Sequence, residues 1–373
     1  MYHGPEPMLP AKRILLTLAC AAVCWASPAG DDLANASTNR GIDYLTKGDY
    51  DLAIRDFDQA IRLKPDDARA FDGRCLAYLD KRDGARALPD CEQAIRLDPK
   101  AALPVYGRGH IRCDAGDYDR AMLDFEQAIR LDPNLAVGYV GRAAVHIRRG
   151  QYDQAIQDYG EALRLNPDGE TYRSRGWCYL QKGNSEAAIG DFEQAIRLQP
   201  NRAGAYSNLA AAHFRLRRYD EAIQDYGQAL RLGPDADSYY WRGWCYIYKR
   251  NYARALPDFD QAIRLQPSAA ASYRSRAWVH GQRREYEQAI RDYDQALRLG
   301  PDAESYYSRG WAYYQQGAYV SAFRDFVEAS RRKPALLGRW IWTPLLPAAW
   351  LIYFVLRSRR AKQSASVGAA AGR

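Results

Sequence analysis

The sequence predicts an all-α protein, an α-solenoid in which pairs of helices stack in a linear array. The first observation is a proline that recurs at a nearly constant interval, thirty-three or thirty-four positions, through the body of the chain. A fixed period of this length indicates one supersecondary unit that is repeated and stacked on its neighbours. The second observation is that the same kinds of residue stand at the same distances from each proline. The nine prolines are Pro65, Pro99, Pro133, Pro167, Pro200, Pro234, Pro267, Pro301 and Pro334.

Each repeat shows where its helices meet. Alanine stands twelve and five positions before every proline, as Ala53 and Ala60 do before Pro65. Because two helices approach closely only where side chains are small, these alanines mark helix crossings. Eight positions before the proline stands phenylalanine or tyrosine in eight repeats and Cys91 in the second, and the large side chain fills the space beside the small ones. A turn signal, at 47–50 in the first repeat, separates a first helix from a second, and the closing proline follows the second helix.

This pattern resembles the tetratricopeptide repeat family, and the match extends through nine units from 34 to 335. The resemblance implies a right-handed α-solenoid whose first helices line a concave groove. It also implies that this groove binds extended peptides or partner helices. One unit shows the motif in full with Tyr172, Gly176, Tyr179, Ala188, Phe192, Ala195 and Pro200.

One systematic feature departs from the family pattern. The family often has an apolar residue 25 positions before the proline, whereas eight repeats here have arginine and the sixth has Leu209. Aspartate stands nine positions before the proline in all nine repeats. Because a carboxylate fits the guanidinium group in bidentate geometry, we expect each arginine to pair with the aspartate of its own repeat. The expected pairs are Arg40–Asp56, Arg74–Asp90, Arg108–Asp124, Arg142–Asp158, Arg175–Asp191, Arg242–Asp258, Arg276–Asp292 and Arg309–Asp325.

The N-terminal residues 1–29 predict a signal peptide or signal anchor. Lys12 and Arg13 precede the uncharged run 14–26. The length of this run suits the apolar core of a secretory signal and is short for a membrane span. A chance apolar stretch is the alternative.

The C-terminal residues predict a membrane-anchoring segment at 336–358 and a basic cytoplasmic tail at 359–373. The stretch 340–356 carries no charge, and basic residues follow it. By the positive-inside rule the tail lies in the cytoplasm, and the repeats are extracytoplasmic, or periplasmic if the cell is bacterial. Pro344 and Pro347 count against a regular helix. An apolar segment docked on the last repeat is the alternative.

The formal net charge of +8 belongs mainly to the two ends of the chain. Eight basic and three acidic residues stand outside the repeats, which leaves an almost balanced charge within them. We therefore expect no nucleic-acid partner. Arginine stands three positions before every proline, and six of these arginines follow a carboxylate by four positions. This spacing predicts exposed ion pairs along the second helices, which include Asp58–Arg62, Asp260–Arg264 and Asp294–Arg298.

No catalytic or metal-binding motif stands in the sequence. It contains no glycine-rich phosphate loop, no His-Glu-x-x-His and no Cys-x-x-Cys, so we expect neither enzyme activity nor a cofactor. His146, His213 and His280 recur at an interval of two repeats, too distant to share a metal ion, and each is expected to fill the same packing slot. Cys75 and Cys91 stand in facing slots of the second repeat. They predict either a disulfide or, as the favoured interpretation, two buried thiols that act as small apolar residues.

The candidate functional surface is the groove that the resemblance assigns to the first helices. Its side chains stand 30, 27, 23, 20 and 19 positions before each proline, spacings that share one helical face. The early repeats are mixed there, with Thr38, Ile42, Leu76, Leu79, Tyr106 and His110. The later repeats combine aromatic residues with arginine, which is typical of interface hot spots. The candidate partner-binding residues are Arg173, Trp177, Phe214, Arg215, Tyr240, Trp244, Tyr248, Arg274, Trp278, Tyr307, Trp311 and Tyr314.

Two functions remain open from the sequence alone. The favoured one is a membrane-anchored scaffold or adaptor that binds partner peptides or helices with apolar anchors and some acidic residues. The alternative is a self-associating structural or regulatory subunit of an envelope or secretion complex. Packing between neighbouring first helices would by itself also explain the tryptophans.

Overall fold

The computed structural model describes residues 29–336 of the chain. Eighteen α-helices follow one another there, and the described residues contain no strand. The helices form nine pairs, which confirms the predicted repeats; the odd-numbered helices are the first helices and the even-numbered ones the second. The bounds are α1 (Ala29–Lys47), α2 (Tyr50–Leu63), α3 (Ala68–Asp80), α4 (Gly84–Leu97), α5 (Ala102–Asp114), α6 (Tyr118–Leu131), α7 (Ala136–Arg148), α8 (Tyr152–Leu165), α9 (Gly169–Gln181), α10 (Ser185–Leu198), α11 (Ala203–Arg215), α12 (Tyr219–Leu232), α13 (Ala236–Tyr248), α14 (Tyr252–Leu265), α15 (Ala270–Gln282), α16 (Tyr286–Leu299), α17 (Ala303–Gln315) and α18 (Tyr319–Arg332).

The helices divide into two compact units. The first unit extends to Leu216 and contains α1–α11, and the second begins at Arg217 and contains α12–α18. Within each unit every helix packs on the next one along the chain. First helices of consecutive repeats also contact one another, as α3 does with α1 and α5 in the first unit and α15 with α17 in the second. The first helices of these repeats therefore share one side of the stack.

The core of each repeat pairs a small residue of the first helix with an aromatic residue of the second. A Cβ atom added at Gly41 would lie 2.7 Å from Phe57, and one at Gly176 would lie 2.8 Å from Phe192. Glycine faces phenylalanine in the first, third, fifth, seventh and ninth repeats, whereas the fourth, sixth and eighth combine alanine with tyrosine. Because these contacts are so close, a larger residue at one position requires a smaller residue at the other.

The second repeat replaces this pair by a disulfide. Cys75 and Cys91 lie on the two helices of the repeat, and the structure joins their sulfur atoms with the two Cα atoms 5.5 Å apart. Both residues are fully buried. The structure thus selects the disulfide over the two free thiols that the sequence favoured, because these slots meet across the helix pair.

The turn between the two helices of every repeat uses a left-handed residue, 17 positions before the proline. Five repeats place glycine there, and four place arginine, with φ between 56° and 62°. A left-handed conformation strains any residue that carries a Cβ atom. The four arginines are Arg82, Arg217, Arg250 and Arg284.

All eight expected arginine–aspartate pairs, which together are called the ladder below, are confirmed. In the fifth repeat Arg175 donates from Nε and Nη2 to the two oxygens of Asp191 at 2.8 and 2.7 Å. The remaining pairs have the same bidentate arrangement. The eight aspartate side chains are only 3% to 12% exposed. Such enclosure separates the ladder from ordinary surface ion pairs, which contribute little.

Aromatic rings pack on six of the ladder arginines. The guanidinium carbon of Arg175 lies 5.6 Å from the ring centroid of Tyr172 and 5.9 Å from that of Tyr179. Arg309 has the same arrangement with Tyr306 and Tyr313. These cation–π contacts account for part of the high tyrosine content of the sequence.

Three of the carboxylates expected to pair along the second helices instead bond the ladder arginine of the next repeat. Asp58 accepts from Nη1 of Arg74 at 2.5 Å. Asp260 and Asp294 accept in the same way from Arg276 and Arg309. The expected partners four positions away were therefore wrong for these three. A ladder arginine has a free Nη1 group in a partly enclosed site, which makes it the stronger partner.

Both predicted membrane-facing segments, 1–29 and 336–358, lie almost wholly outside the described residues. Among the helices at 29–336, none combines the length and the apolar character that crossing a bilayer requires.

Replacing Asp191 by alanine should lower the free energy of unfolding by about 2–4 kcal/mol, because Arg175 is then left half-enclosed without its carboxylate. Thermal unfolding followed by circular dichroism measures the change. Asp153 is the matched control, since it pairs with Lys182 at the surface, and its replacement should cost less than about 1 kcal/mol. Equal melting temperatures for the wild type and Asp191→Ala would refute a stabilising ladder.

Candidate functional site

A groove of about 570 Å³ opens in the second unit between α15, α16 and α17. Two predicted tryptophans, Trp278 and Trp311, line it together with the predicted Tyr307. The tryptophans come from neighbouring first helices and stand in equivalent positions of their repeats, which end at Pro301 and Pro334. The rest of the lining is Gly281, Gln282, Arg284, Tyr286, Tyr293, Ser308, Ala312 and Gln315.

Each groove tryptophan contacts aromatic neighbours and remains partly exposed. The Trp278 ring meets Tyr252 of the preceding repeat edge-on at 6.0 Å. Trp311 meets Tyr314 at 5.4 Å and Phe326 at 6.1 Å. Packing therefore explains part of the tryptophan pattern. The same rings still reach the groove, because neither side chain is fully buried.

Arg284 places a positive charge at this groove. The side chain is exposed, and no ion pair to it exists among the described residues, whereas neighbouring Arg283 pairs with Glu285 at 2.9 Å. Its backbone is the left-handed turn residue, with φ of 62°. Arg284 was not among the predicted residues, because it lies in the turn beyond the groove slots. One feature of the sequence could have drawn attention to it, since arginine stands at this turn position where five other repeats have glycine.

The other predicted residues of the second unit lie apart from this groove. Tyr240, Trp244 and Tyr248 form a second aromatic cluster on α13, with the tyrosine ring centroids 6.4 and 6.0 Å from that of Trp244. Tyr248 also stacks on Tyr219 at 4.9 Å and is 53% exposed. Arg274 lies 3.2 Å from Asp302, which neutralises part of its charge. Tyr314 belongs to the Trp311 contacts already described.

The predicted residues of the first unit are largely engaged in packing. Arg173 is only 8% exposed and forms an ion pair with Glu170, so this arginine has little surface for a partner. Trp177 meets Tyr152 of the preceding repeat at 5.8 Å. On α11, which also carries Phe214, Arg215 donates to the carbonyl oxygen of Leu180.

The first unit carries three acidic side chains at groove positions, and none of them was among the predicted residues. Nδ1 of His110 lies 3.4 Å from Oδ2 of Asp114 and lowers the pKa of that carboxyl group. Asp80 is hydrogen-bonded by Tyr50. For Asp72 burial raises the pKa to about 7, and no neighbouring charge offsets this effect. The three were missed because only aromatic residues and arginines were selected from these slots.

Two of the recurring histidines, His146 and His280, bond within their own repeats. Nδ1 of His146 lies 2.9 Å from Oε1 of Gln151, and Nδ1 of His280 lies 2.6 Å from Oε2 of Glu285. Gln151 and Glu285 occupy equivalent turn positions, as expected for a shared packing slot. The part of the chain that the structure describes contains no group of side chains able to hold a metal ion.

The tetratricopeptide repeat family matches the chain through most of the array. Because the matches cover far more than half of the sequence, the chain belongs to this family. Tetratricopeptide repeats indicate a scaffold for protein–protein interaction. The matched residues are 38–102, 73–136, 140–203, 179–237, 207–270, 242–283 and 274–335.

Similar solved structures share the fold at low sequence identity. The Cut9–Hcn1 hetero-tetramer of APC/C is 18% identical over 76% of this chain and 58% of that chain, with a TM-score of 0.56. The C-terminal part of a TPR repeat-containing protein from Cytophaga hutchinsonii is 18% identical over 61% and 95%, with a TM-score of 0.53. YrrB, described as a TPR protein with an unusual peptide-binding site, is 23% identical over 52% and 97%, with a TM-score of 0.45. No curated protein matches the chain.

Asp72→Asn should stabilise the protein increasingly as the pH rises. The folded state holds the Asp72 proton up to about pH 7, whereas the unfolded chain releases it near pH 4. Stability of the wild type therefore falls as the pH rises between these values. Asparagine removes the penalty, so the advantage of the variant should be close to zero at about pH 4 and reach at most about 4 kcal/mol above pH 7.

Urea unfolding of both proteins across this pH range measures the difference. Asp66→Asn, which removes an exposed acid from the neighbouring turn, is the control and should show no such trend. A constant difference between Asp72→Asn and the wild type at all pH values would contradict the enclosed carboxyl group.

Proposed function

We propose that the chain is a membrane-anchored scaffold that binds a peptide or helix of a partner protein along its first helices. The observation that carries the proposal is the open groove of about 570 Å³ in the second unit, lined by tryptophans from two neighbouring repeats. Concave sites with aromatic walls and a few convergent polar groups are the usual form of a binding site. Membership of the tetratricopeptide repeat family supports a protein as the occupant.

The lining favours a partner segment with apolar anchors beside an acidic residue. The aromatic side chains of the lining offer large, rigid apolar surfaces and lose few rotamers on binding; they are Trp278, Trp311 and Tyr307. Such side chains are typical of binding hot spots. Gln282 and Gln315 can exchange hydrogen bonds with a peptide backbone. Arg284, which has no ion pair in the described chain, can receive a carboxylate in bidentate geometry.

We further propose that the repeats are exported and held at the membrane by the segment at 336–358, with the tail at 359–373 in the cytoplasm. The uncharged stretch 340–356 supports the anchor. The disulfide between Cys75 and Cys91 supports an extracytoplasmic location, because disulfides persist in oxidising compartments.

Arg284→Gly tests the groove without straining the fold, because five other repeats already have glycine at this turn position. The partner captured by the full-length protein from solubilised membranes should bind the variant about tenfold or more weakly, since a charge-assisted hydrogen bond is lost. Trp311→Ala should weaken the same partner about thirtyfold or more, as hot-spot tryptophans do. Biolayer interferometry with the captured partner measures both changes.

Arg250→Gly is the matched control for this experiment. It makes the same substitution at the same turn of the preceding repeat, outside the groove lining. It should leave partner binding unchanged and leave stability equal or up to about 1 kcal/mol higher. Unchanged binding by both Arg284→Gly and Trp311→Ala would exclude this groove as the binding surface.

Cell fractionation tests the anchor and its orientation. The full-length chain should sediment with membranes and resist extraction at alkaline pH, because a transmembrane segment buries its apolar side chains in lipid. A chain that ends at 336 should be released. Protease added to the extracytoplasmic side should digest the repeats and spare a tag on the tail. A full-length chain recovered in the soluble fraction would refute the anchor.

A further inference from the structure

The first unit holds a carboxyl group that no described residue neutralises. Asp72 lies on α3, and its Oδ1 atom has almost no solvent-accessible surface and no hydrogen-bond partner within residues 29–336. The residue as a whole nevertheless retains an exposed fraction. The carboxyl group is therefore enclosed on one side, and it can be approached without unfolding the helix.

Asp72 stands in a groove position of the second repeat. In the repeat that ends at Pro99 it occupies the slot that Arg274 and Tyr307 occupy in later repeats. Leu76 and Asp80 follow it at intervals of four positions, so that all three lie along one face of α3. This is the face on which the first unit would present side chains to a bound segment.

The neighbouring charged groups of the first unit already have partners. Nη2 of Arg69, one turn before Asp72, donates to Oδ1 of Asn39 on α1 at 2.7 Å. Asp67 accepts from Oγ1 of Thr38 at 2.9 Å. On α3 and α5, Asp80 is hydrogen-bonded by Tyr50 and Asp114 lies 3.4 Å from His110. These groups therefore leave Asp72 without a cation.

We propose that Asp72 anchors a cationic side chain, lysine or arginine, of a peptide bound along the first helices of the first unit. A polar group enclosed without a partner is costly, and a cation with N–H donors removes this cost by forming a charge-assisted hydrogen bond. The site is independent of the aromatic groove in the second unit. It adds a preference for basic segments that the aromatic groove does not have.

Binding at this site is linked to the loss of the Asp72 proton. The carboxyl group is mostly neutral one pH unit below its raised pKa of about 7 and mostly charged one unit above it. A cation binds the charged form, so affinity rises from about pH 6 to about pH 8. Lysine and arginine remain protonated throughout this range.

The test uses the full-length protein and a fluorescein-labelled peptide of alternating lysine and alanine with blocked ends. A matched peptide has glutamine in place of lysine. Fluorescence anisotropy should show binding of the lysine peptide that strengthens between about pH 6 and pH 8, and little binding of the glutamine peptide. Asp72→Asn should weaken the lysine peptide about tenfold or more at pH 8, the loss expected for a charge-assisted hydrogen bond.

Asp66→Asn removes the same amount of charge from an exposed position and should leave binding unchanged, which separates a specific contact from general attraction. Because Asp72→Asn is expected to be at least as stable as the wild type, its loss of affinity cannot come from unfolding. The proposal is overturned if the wild type does not bind the lysine peptide, if it binds both peptides equally, or if Asp72→Asn and Asp66→Asn bind alike. None of these results depends on the partner of the aromatic groove.

Discussion

The bidentate ion pair between an arginine of the first helix and an aspartate of the second is the constraint on which each repeat that contains it depends. A nearly buried carboxylate is stable only if its charge and its oxygens are satisfied. The guanidinium group satisfies both, and so fixes how the two helices face each other. Tyrosine rings then pack on the arginine, and in three places a carboxylate of the preceding repeat bonds its free Nη1 group. One interaction thereby links the pairing of helices within a repeat to the stacking of repeats.

Close packing adds a second constraint across the same helix pair. A phenylalanine requires glycine opposite, because even a Cβ atom would come within about 3 Å of its ring. The alternation of phenylalanine and tyrosine along the later repeats matches the two-repeat interval of the histidines and indicates growth by a two-repeat cassette. In the second repeat, the disulfide of Cys75 and Cys91 spans the same helix pair. A covalent bond there takes the place of the contact between a small residue and an aromatic ring in the other repeats.

The groove residues combine packing with exposure to the groove. Trp278 and Trp311 pack against aromatic neighbours and still line the open groove. A side chain held in this way loses little conformational entropy when a partner binds. Groove positions in the first unit carry carboxylates instead, and their environments differ sharply. The pKa of Asp114 is lowered by His110, whereas that of Asp72 is raised by burial.

The sequence by itself determined the repeats, the helix pairs and the ladder, because the ladder contacts join positions at a constant separation within one repeat. Such contacts recur with the period and can be found by counting from the prolines. Only the tertiary structure decided which groove residues are accessible. Arg173 is buried against Glu170, Arg284 is exposed from a turn, and Asp72 has an oxygen without a partner among the described residues. Exposure depends on surrounding side chains that change from one repeat to the next, so no fixed spacing predicts it.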